Sequence, residues 1–513
     1  MRARRIRRSS RLLTFVVALV TGVVTVAAIA LALPSDTPRK VTVAQSAAIE
    51  PRPTTIGIAD ADIYGMSEAD VDRTLRAMGN TNVKTVRLMI PWAGVEPIQG
   101  QLNWSMVDKT VNAAAARGMS ILGFINSTPA WAVGPGGLPI SGHPASADAY
   151  GEFAAKVAAR YKGKIAAYEI WNEPNAVQFW TPSPDPAAYT ALLRAAYPRI
   201  KAVDPSVTVI GGVVGSVVDW GNLIWNPVRF LKGMYEAGAR DYMDALSFHP
   251  YHYSLKFSDG VPVANSPVQQ LMEMRAVMVA NGDSGKKIWA TEYGQPTSAV
   301  DEAGQTAYLK DMWTKWQELP YTGPLYIYTT RDRNTGSSSD QDTFGLLRTN
   351  WTPKQAQQAL QFAIPAGPPK SAEYQRFAQI TDAAHGTVLS PVFKAGSTAW
   401  AQMRTVNTLW EIPGSGMVTS PTPVAKVALA RLGVPKTKFA NGYQDFTAPA
   451  PFRVWWSEAT GAHWASEGFA QNYVPELGLA TSDETYLNGY NRVDFQHGYM
   501  TWQPWIGFKV VLN

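Results

Sequence analysis

The chain has 513 residues, too long for one ordinary core, so two or three domains are expected. Its composition, 46% hydrophobic and 17% charged, excludes a disordered or fibrous chain. The net charge of +6 would suggest a nucleic-acid binder, but Arg2, Arg4, Arg5, Arg7, Arg8 and Arg11 carry all of it; without them basic and acidic residues balance at 40 each, so no nucleic acid partner is expected.

The arginines precede an apolar run from Thr14 to Leu33, about 20 residues, which is long enough to cross a bilayer. A positive flank followed by an apolar run places the N-terminus inside and exports the remainder. Residues 1–33 are therefore expected to be a signal-anchor or a cleavable signal peptide, with the membrane as partner. Ala28-Ile29-Ala30 and Ala30-Leu31-Ala32 have the small-x-small spacing of a cleavage site but lie inside the apolar run. Cysteine is absent, which excludes disulfides, thiolate metal sites and cysteine nucleophiles. An exported chain without disulfides fits a bacterial cell envelope, membrane-anchored or secreted.

Residues 34–53, rich in Pro, Ser, Thr and Ala, read as a flexible linker. From Thr54 short apolar runs alternate with amphipathic stretches. Strands are expected at 54–58, 83–90, 121–125, 165–171, 207–213, 245–248, 287–290 and 325–328, with a helix after each. The first helix opens on a capping Ser67. Eight strand–helix pairs in about 310 residues fit an α/β fold of the (β/α)8 TIM-barrel type better than an open doubly wound sheet. The expected barrel spans 54–366. No glycine-rich phosphate loop follows the first strand, and the six histidines are dispersed without ligand spacing, so neither a cofactor nor a metal is expected.

Two acidic residues stand where an apolar strand opens into a loop, a costly place for a carboxylate without a chemical role. Glu173, in Glu169-Ile170-Trp171-Asn172-Glu173-Pro174-Asn175, follows the fourth strand; Glu292, in Thr291-Glu292-Tyr293-Gly294, follows the seventh. Residues at the C-terminal ends of different barrel strands converge on one face, so these two can meet. Glu169 lies within its strand rather than at the mouth and is left out of the pair.

Asn172-Glu173-Pro174, with Glu292 three strands later, resembles the clan A retaining glycoside hydrolases. The resemblance implies Glu173 as acid/base and Glu292 as nucleophile in a double displacement. It implies further that Asn172 binds the substrate 2-hydroxyl, that Arg87 holds the nucleophile ionised, that Tyr251 orients Glu292, and that His249 contacts the substrate or the acid/base. Thr128-Pro129-Ala130-Trp131, the Glu292 segment, and Tyr328-Thr329-Thr330-Arg331-Asp332 with Phe344-Gly345-Leu346-Leu347 resemble family 39 and its exopolysaccharide-hydrolase relatives more than family 5 cellulases. Trp131, before a glycine-rich loop, is the candidate sugar-stacking ring. Trp92, Trp171 and Trp180 also lie at strand ends, where packing is the expected role.

The tail, 367–513, is expected to be a β-rich repeat domain. Leu432-Gly433-Val434-Pro435, Tyr443-Gln444-Asp445-Phe446 and Trp456-Ser457 are echoed by Leu477-Gly478-Leu479-Ala480, Asp494-Phe495-Gln496 and Trp502-Gln503. These units resemble the Leu-Gly-Phe-Pro repeats of actinobacterial cell-wall proteins, which implies a cell-envelope glycan as their partner. The reading is thus an exported retaining glycosidase acting on an envelope or extracellular polysaccharide. A non-hydrolytic polysaccharide-binding scaffold and a wall-remodelling transglycosylase are the alternatives that the same residues leave open.

Overall fold

A computed structural model of the chain describes residues 48–367, 370–447 and 450–513. The expected membrane segment and most of the linker lie outside them. Among the described residues no helix is long and apolar enough to cross a membrane.

Eight parallel strands close into a barrel: β1 (Ile56–Ala59), β2 (Thr85–Pro91), β3 (Ser120–Asn126), β4 (Ala167–Ile170), β5 (Thr208–Gly215), β6 (Ala245–His249), β7 (Ile288–Tyr293) and β8 (Thr322–Tyr328). Their order is sequential, and β1 completes the ring by pairing with β8, Ile56 opposite Leu325 through Ala59 opposite Tyr328. The strands are buried almost throughout, as parallel strands covered on both faces must be. Leu122, Ala167, Ile210, Ala245, Trp289 and Tyr326, one from nearly every strand, form a shared apolar core with Ile49.

Several of the helices that cover the barrel start where the sequence supplies a capping side chain. α1 (Glu68–Asn80) is opened by Ser67, whose hydroxyl accepts from the Asp70 amide at 3.1 Å. The short α2 (Trp92–Val95) and α3 (Ser105–Ala115) follow β2, and α4 (Ala147–Arg160) begins at Ser146. α5 (Pro186–Val203) combines an Asp185 cap with proline at its first position, and α6 (Pro227–Glu236) repeats the device with Asn226. α7 (Pro267–Ala280), α8 (Glu302–Trp316) and α9 (Gln355–Ala366) complete the set.

Every strand is shifted by a few residues from expectation at one end or both, and three of the shifts touch the site. β7 runs on to Tyr293, so Glu292 lies inside it rather than beyond it. β4 stops at Ile170 because Trp171 turns to φ 76°, out of the extended region, so no ladder continues. β5 runs on past Val213 to Gly215 through a bulge: Gly212 and Val213 both take positive φ, and the pairing with β6 slips between Gly211 and Val214.

The chain forms two compact units that are not consecutive in sequence. One runs to Tyr251 and resumes at Glu273–Thr306 and Tyr321–Gly367; the other comprises His252–Met272, Ala307–Pro320 and Pro368–Asn513. In the second, α10 (Ala372–Ala378) precedes three four-stranded antiparallel sheets. They are β9 to β12 (Phe393–Ala395, Ala399–Gln402, Asn407–Ile412, Gly416–Pro421), β13 to β16 (Val434–Pro435, Tyr443–Thr447, Phe452–Ser457, Gly461–Ser466) and β17 to β20 (Thr485–Leu487, Tyr490–Phe495, Gly498–Gln503, Gly507–Leu512). α11 (Thr422–Ala430) follows the first sheet and α12 (Glu467–Asn472) the second. Of the three echoed segments, the second and third fall on β14 and β15 in one copy and on β18 and β19 in the other, whereas the first includes strand β13 in one copy and no strand in the other. Their leucines differ, since Leu432 is exposed and Leu477 is buried.

Candidate active site

Most residues of the site lie at or just beyond the C-terminal ends of barrel strands, the face on which TIM barrels assemble chemistry, while Arg87 and Glu169 lie within theirs. Arg87 of β2 is its hub. The guanidinium, 1% exposed, donates from Nε to Glu169 Oε2 at 2.5 Å, from Nη1 to Glu292 Oε1 at 2.5 Å and from Nη2 to Asn172 Oδ1 at 2.9 Å. Its planar fork also lies over the Phe124 ring, 3.9 Å from the centroid. Burial alone would lower its pKa, but the charges of Glu169 and Glu292 outweigh that and raise it.

Glu292, the last residue but one of β7, is held by two donors. Arg87 binds one oxygen, and the Tyr251 hydroxyl donates to the other at 3.0 Å. Burial pushes its carboxyl up, yet His249, Arg87 and the Tyr251 hydrogen bond together hold it below the usual range. Tyr251 is fixed in turn by Tyr293, stacked at 6.3 Å, and by Phe344 at 5.9 Å. Phe344 also meets Tyr328 at the end of β8, centroids 5.3 Å apart.

Glu173 stands across from Glu292 in a left-handed backbone conformation, φ 45°, that a non-glycine residue holds only when its surroundings fix it. Two features fix it here. Its amide donates to Val213 O at 2.8 Å, the carbonyl that the β5 bulge turns toward it. Gly215 leaves room for its side chain, since a Cβ at that position would lie 3.0 Å from the carboxyl carbon. Asn175 secures the same strand end, accepting from the Gly215 amide at 2.9 Å and donating to Gly215 O at 3.0 Å.

His249 of β6 joins the two carboxylates. Its Nδ1 lies 2.8 Å from Glu173 Oε1 and 3.9 Å from Glu292 Oε2. Its Nε2 lies 3.0 Å from the Thr291 hydroxyl, which meets the Ser247 hydroxyl at 2.5 Å. The ring is buried and its plane is fixed at both nitrogens.

The structure thus brings Arg87, Asn172, Glu173, His249, Tyr251 and Glu292 together. Trp131 is placed differently: half-buried, it donates from its indole to Glu96 O at 2.8 Å and meets Trp92 edge-on at 5.4 Å, which ties it to the segment after β2. Trp92, Trp171 and Trp180 are core residues. Sequence reasoning missed Glu169, Ser247, Thr291 and Gly215. A glutamate inside an apolar strand and a threonine directly before Glu292 were visible signals; the role of Gly215 depends on a bulge that no local pattern announces. Among the described residues no group of His, Asp and Glu has the arrangement of a metal site.

Residues 52–321 match the family Cellulase (glycosyl hydrolase family 5). No curated protein sequence matches the chain. Among solved structures, a family 39 glycoside hydrolase from the gut symbiont Bacteroides cellulosilyticus WH2 is similar at 19% identity and a TM-score of 0.51, over 81% of this chain and 79% of that one. A monomeric β-xylosidase from Caulobacter crescentus CB15 aligns at 17% identity and a TM-score of 0.47, over 71% of this chain and 74% of that one. An exo-β-1,4-mannosidase from Opitutaceae bacterium strain TAV5 aligns at 16% identity and a TM-score of 0.46, over 66% and 63%. The segments that resemble family 39 thus sit in a chain whose matching family is 5. With that match covering more than half its length, on a closed eight-stranded barrel, the chain belongs to glycosyl hydrolase family 5 and is a glycosidase.

Proposed function

We propose that this glycosidase works by double displacement with retention, on a polysaccharide of the cell envelope or its surroundings. The observation that carries the reading is the pair Glu173 and Glu292, facing each other across one ring nitrogen of His249. So close a pairing favours the roughly 5–5.5 Å carboxyl spacing of retaining enzymes over the wider spacing that inversion needs to admit a water. The two acids are also differently supported: Arg87 and Tyr251 both donate to Glu292, whereas His249 is the hydrogen-bond partner of Glu173.

In the first half-reaction a Glu292 oxygen attacks the anomeric carbon as the bond to the leaving oxygen breaks, and protonated Glu173 gives that oxygen its proton. In the second, Glu173 takes a proton from water, which attacks the anomeric carbon and releases Glu292. Asn172, its carbonyl occupied by Arg87, keeps its amide protons for the sugar 2-hydroxyl.

The N-terminal arginines and apolar run support export with a membrane-anchored or secreted product, and the repeat-like tail supports contact with envelope glycan. Glu292→Ala should abolish turnover of an aryl glycoside, and azide should restore part of it by replacing the missing nucleophile. Undiminished turnover in that variant would falsify the assignment. Anomer detection by NMR on the wild-type reaction reads retention directly.

A further inference from the structure

Glu169 has no part in the double displacement as described, yet it makes a 2.5 Å ion pair with the residue that supports the nucleophile. It lies in the middle of β4 and is fully buried, out of reach of a sugar. Its second oxygen, Oε1, is buried without a hydrogen-bond partner, which is poor construction for an ion pair serving stability alone. The other ionisable groups facing it are Tyr326 of β8 and Tyr189 of α5. Those facing Glu292 are Arg87, His249, Tyr251 and Tyr328, with Glu173 beyond His249.

The double displacement changes the charge beside Arg87. In the free enzyme the guanidinium has two carboxylates, on separate nitrogens. Once a Glu292 oxygen has bonded to the anomeric carbon, Glu292 is a neutral ester, and the negative charge stands on Glu173, whose proton left with the aglycone. A buried guanidinium with no anion costs several kcal/mol in a low-dielectric interior. We infer that Glu169 is the fixed counter-charge that keeps Arg87 in place and neutralised while Glu292 loses and regains its own charge. Glu169 is on this view a positioning residue, acting through Arg87. It also supplies a standing negative charge across Arg87 from the nucleophile, which disfavours carboxylate and favours ester at Glu292. The inference rests on the reading of Glu292 as nucleophile.

Two measurements on the full chain test it, and the first needs no activity. Glu169→Gln is made in the wild type and in a Glu292→Gln background, where the neutral amide stands in for the ester. Glu169→Gln should lower Tm modestly while Glu292 still compensates Arg87, and several degrees further when position 292 is neutral. Additive Tm changes overturn the inference, and so does failure of Glu169→Gln alone to fold, because Glu292 should then have sufficed. The second measurement is the pH dependence of kcat/KM. Removing a negative neighbour lowers the pKa of Glu292, so the acid limb should move about one unit down in Glu169→Gln and return toward wild type in Glu169→Asp. A lower rate with an unmoved limb marks a structural role only. Azide rescue decides the nucleophile separately: a failed rescue with intact Tm coupling indicts the retaining reading, and with it the part of Glu169 in turnover, and leaves only its static pairing with Arg87.

Discussion

Arg87 and Asp60 are both buried charges of the barrel, and their surroundings treat them in opposite ways. Arg87 has two carboxylates to itself. Asp60, directly after β1 and only 3% exposed, has another acid beside it. Burial first, then the charge of Asp62, push its carboxyl up to about 6, against the Thr330 hydroxyl, the Ile63 amide and Arg333. A folded-state pKa above the unfolded one means stability that is present below pH 4 and lost as pH rises through 6, about 3 kcal/mol by pH 7. Asp60→Asn should therefore raise Tm by several degrees at pH 7.5 and by little or nothing at pH 4, measured by thermal denaturation. An equal change at both pH values would show that burial of the charge is not what Asp60 costs. Legibility at this scale followed exposure to the loop. Glu173 and Glu292 could be picked out because each stands just beyond an apolar run, and Arg87 because the clan A resemblance implies it; its place early in β2 was not foreseen. Glu169 was visible as a glutamate inside an apolar strand but had no readable role, because all four residues of β4 are buried and alternation gives no sign of which way its carboxylate faces.

Among the elements, β5 contributes most to the site relative to what its sequence discloses. Its bulge presents the Val213 carbonyl to the Glu173 amide, and its last residue, Gly215, is the wall against which the Glu173 carboxyl rests. Gly215→Ala puts a methyl 3.0 Å from that carboxyl carbon and displaces it. A loss on the order of 10²-fold in kcat is expected for glycosides with poor leaving groups, since small misplacements of a catalytic group cost that much. Aryl glycosides with acidic leaving groups need no proton and should be affected far less in the first step. A comparison of the two substrate types checks this; equal losses would mean that Gly215 acts on something other than Glu173. The eight strands were readable as apolar runs separated by capped helices, and Ser67, Pro186 and Pro227 stand where helices begin. The bulge was not, because Gly211-Gly212 reads as an uninterrupted part of a strand ending at 213, and only the slipped pairing with β6 shows the irregularity.

For the molecule as a whole, the division expected at residue 367 does not coincide with the two compact units. Residues 252–272 and 307–320 cluster with the tail. Within that unit the buried Glu318 carboxylate pairs with Lys315 at 2.8 Å and accepts from the Val392 amide at 2.6 Å. Deleting 368–513 removes that amide and leaves a carboxylate whose pKa burial already raises with one partner fewer. A chain ending at Gly367 should thus unfold several degrees below the full chain in a thermal scan, and an unchanged Tm would show the barrel to be independent of the tail. That membership could not be read locally, since nothing in α7 or α8 distinguishes the residues on either side of the division.

The ladder that closes the barrel has a further consequence, for the order in which the chain takes shape. β1 finds its second neighbour only in β8, Ile56 beside Leu325 and Ala59 beside Tyr328. Until β8 has been synthesised, one edge of β1 has unpaired amides and carbonyls, the template on which strands add and chains aggregate. The sheets of the tail are the opposite case, built from hairpins whose partners lie a few residues away, so each can form as soon as it emerges. The ring, and with it the meeting of Glu173 and Glu292, is therefore a late event in the birth of the molecule, reached only after nearly two thirds of the chain exists.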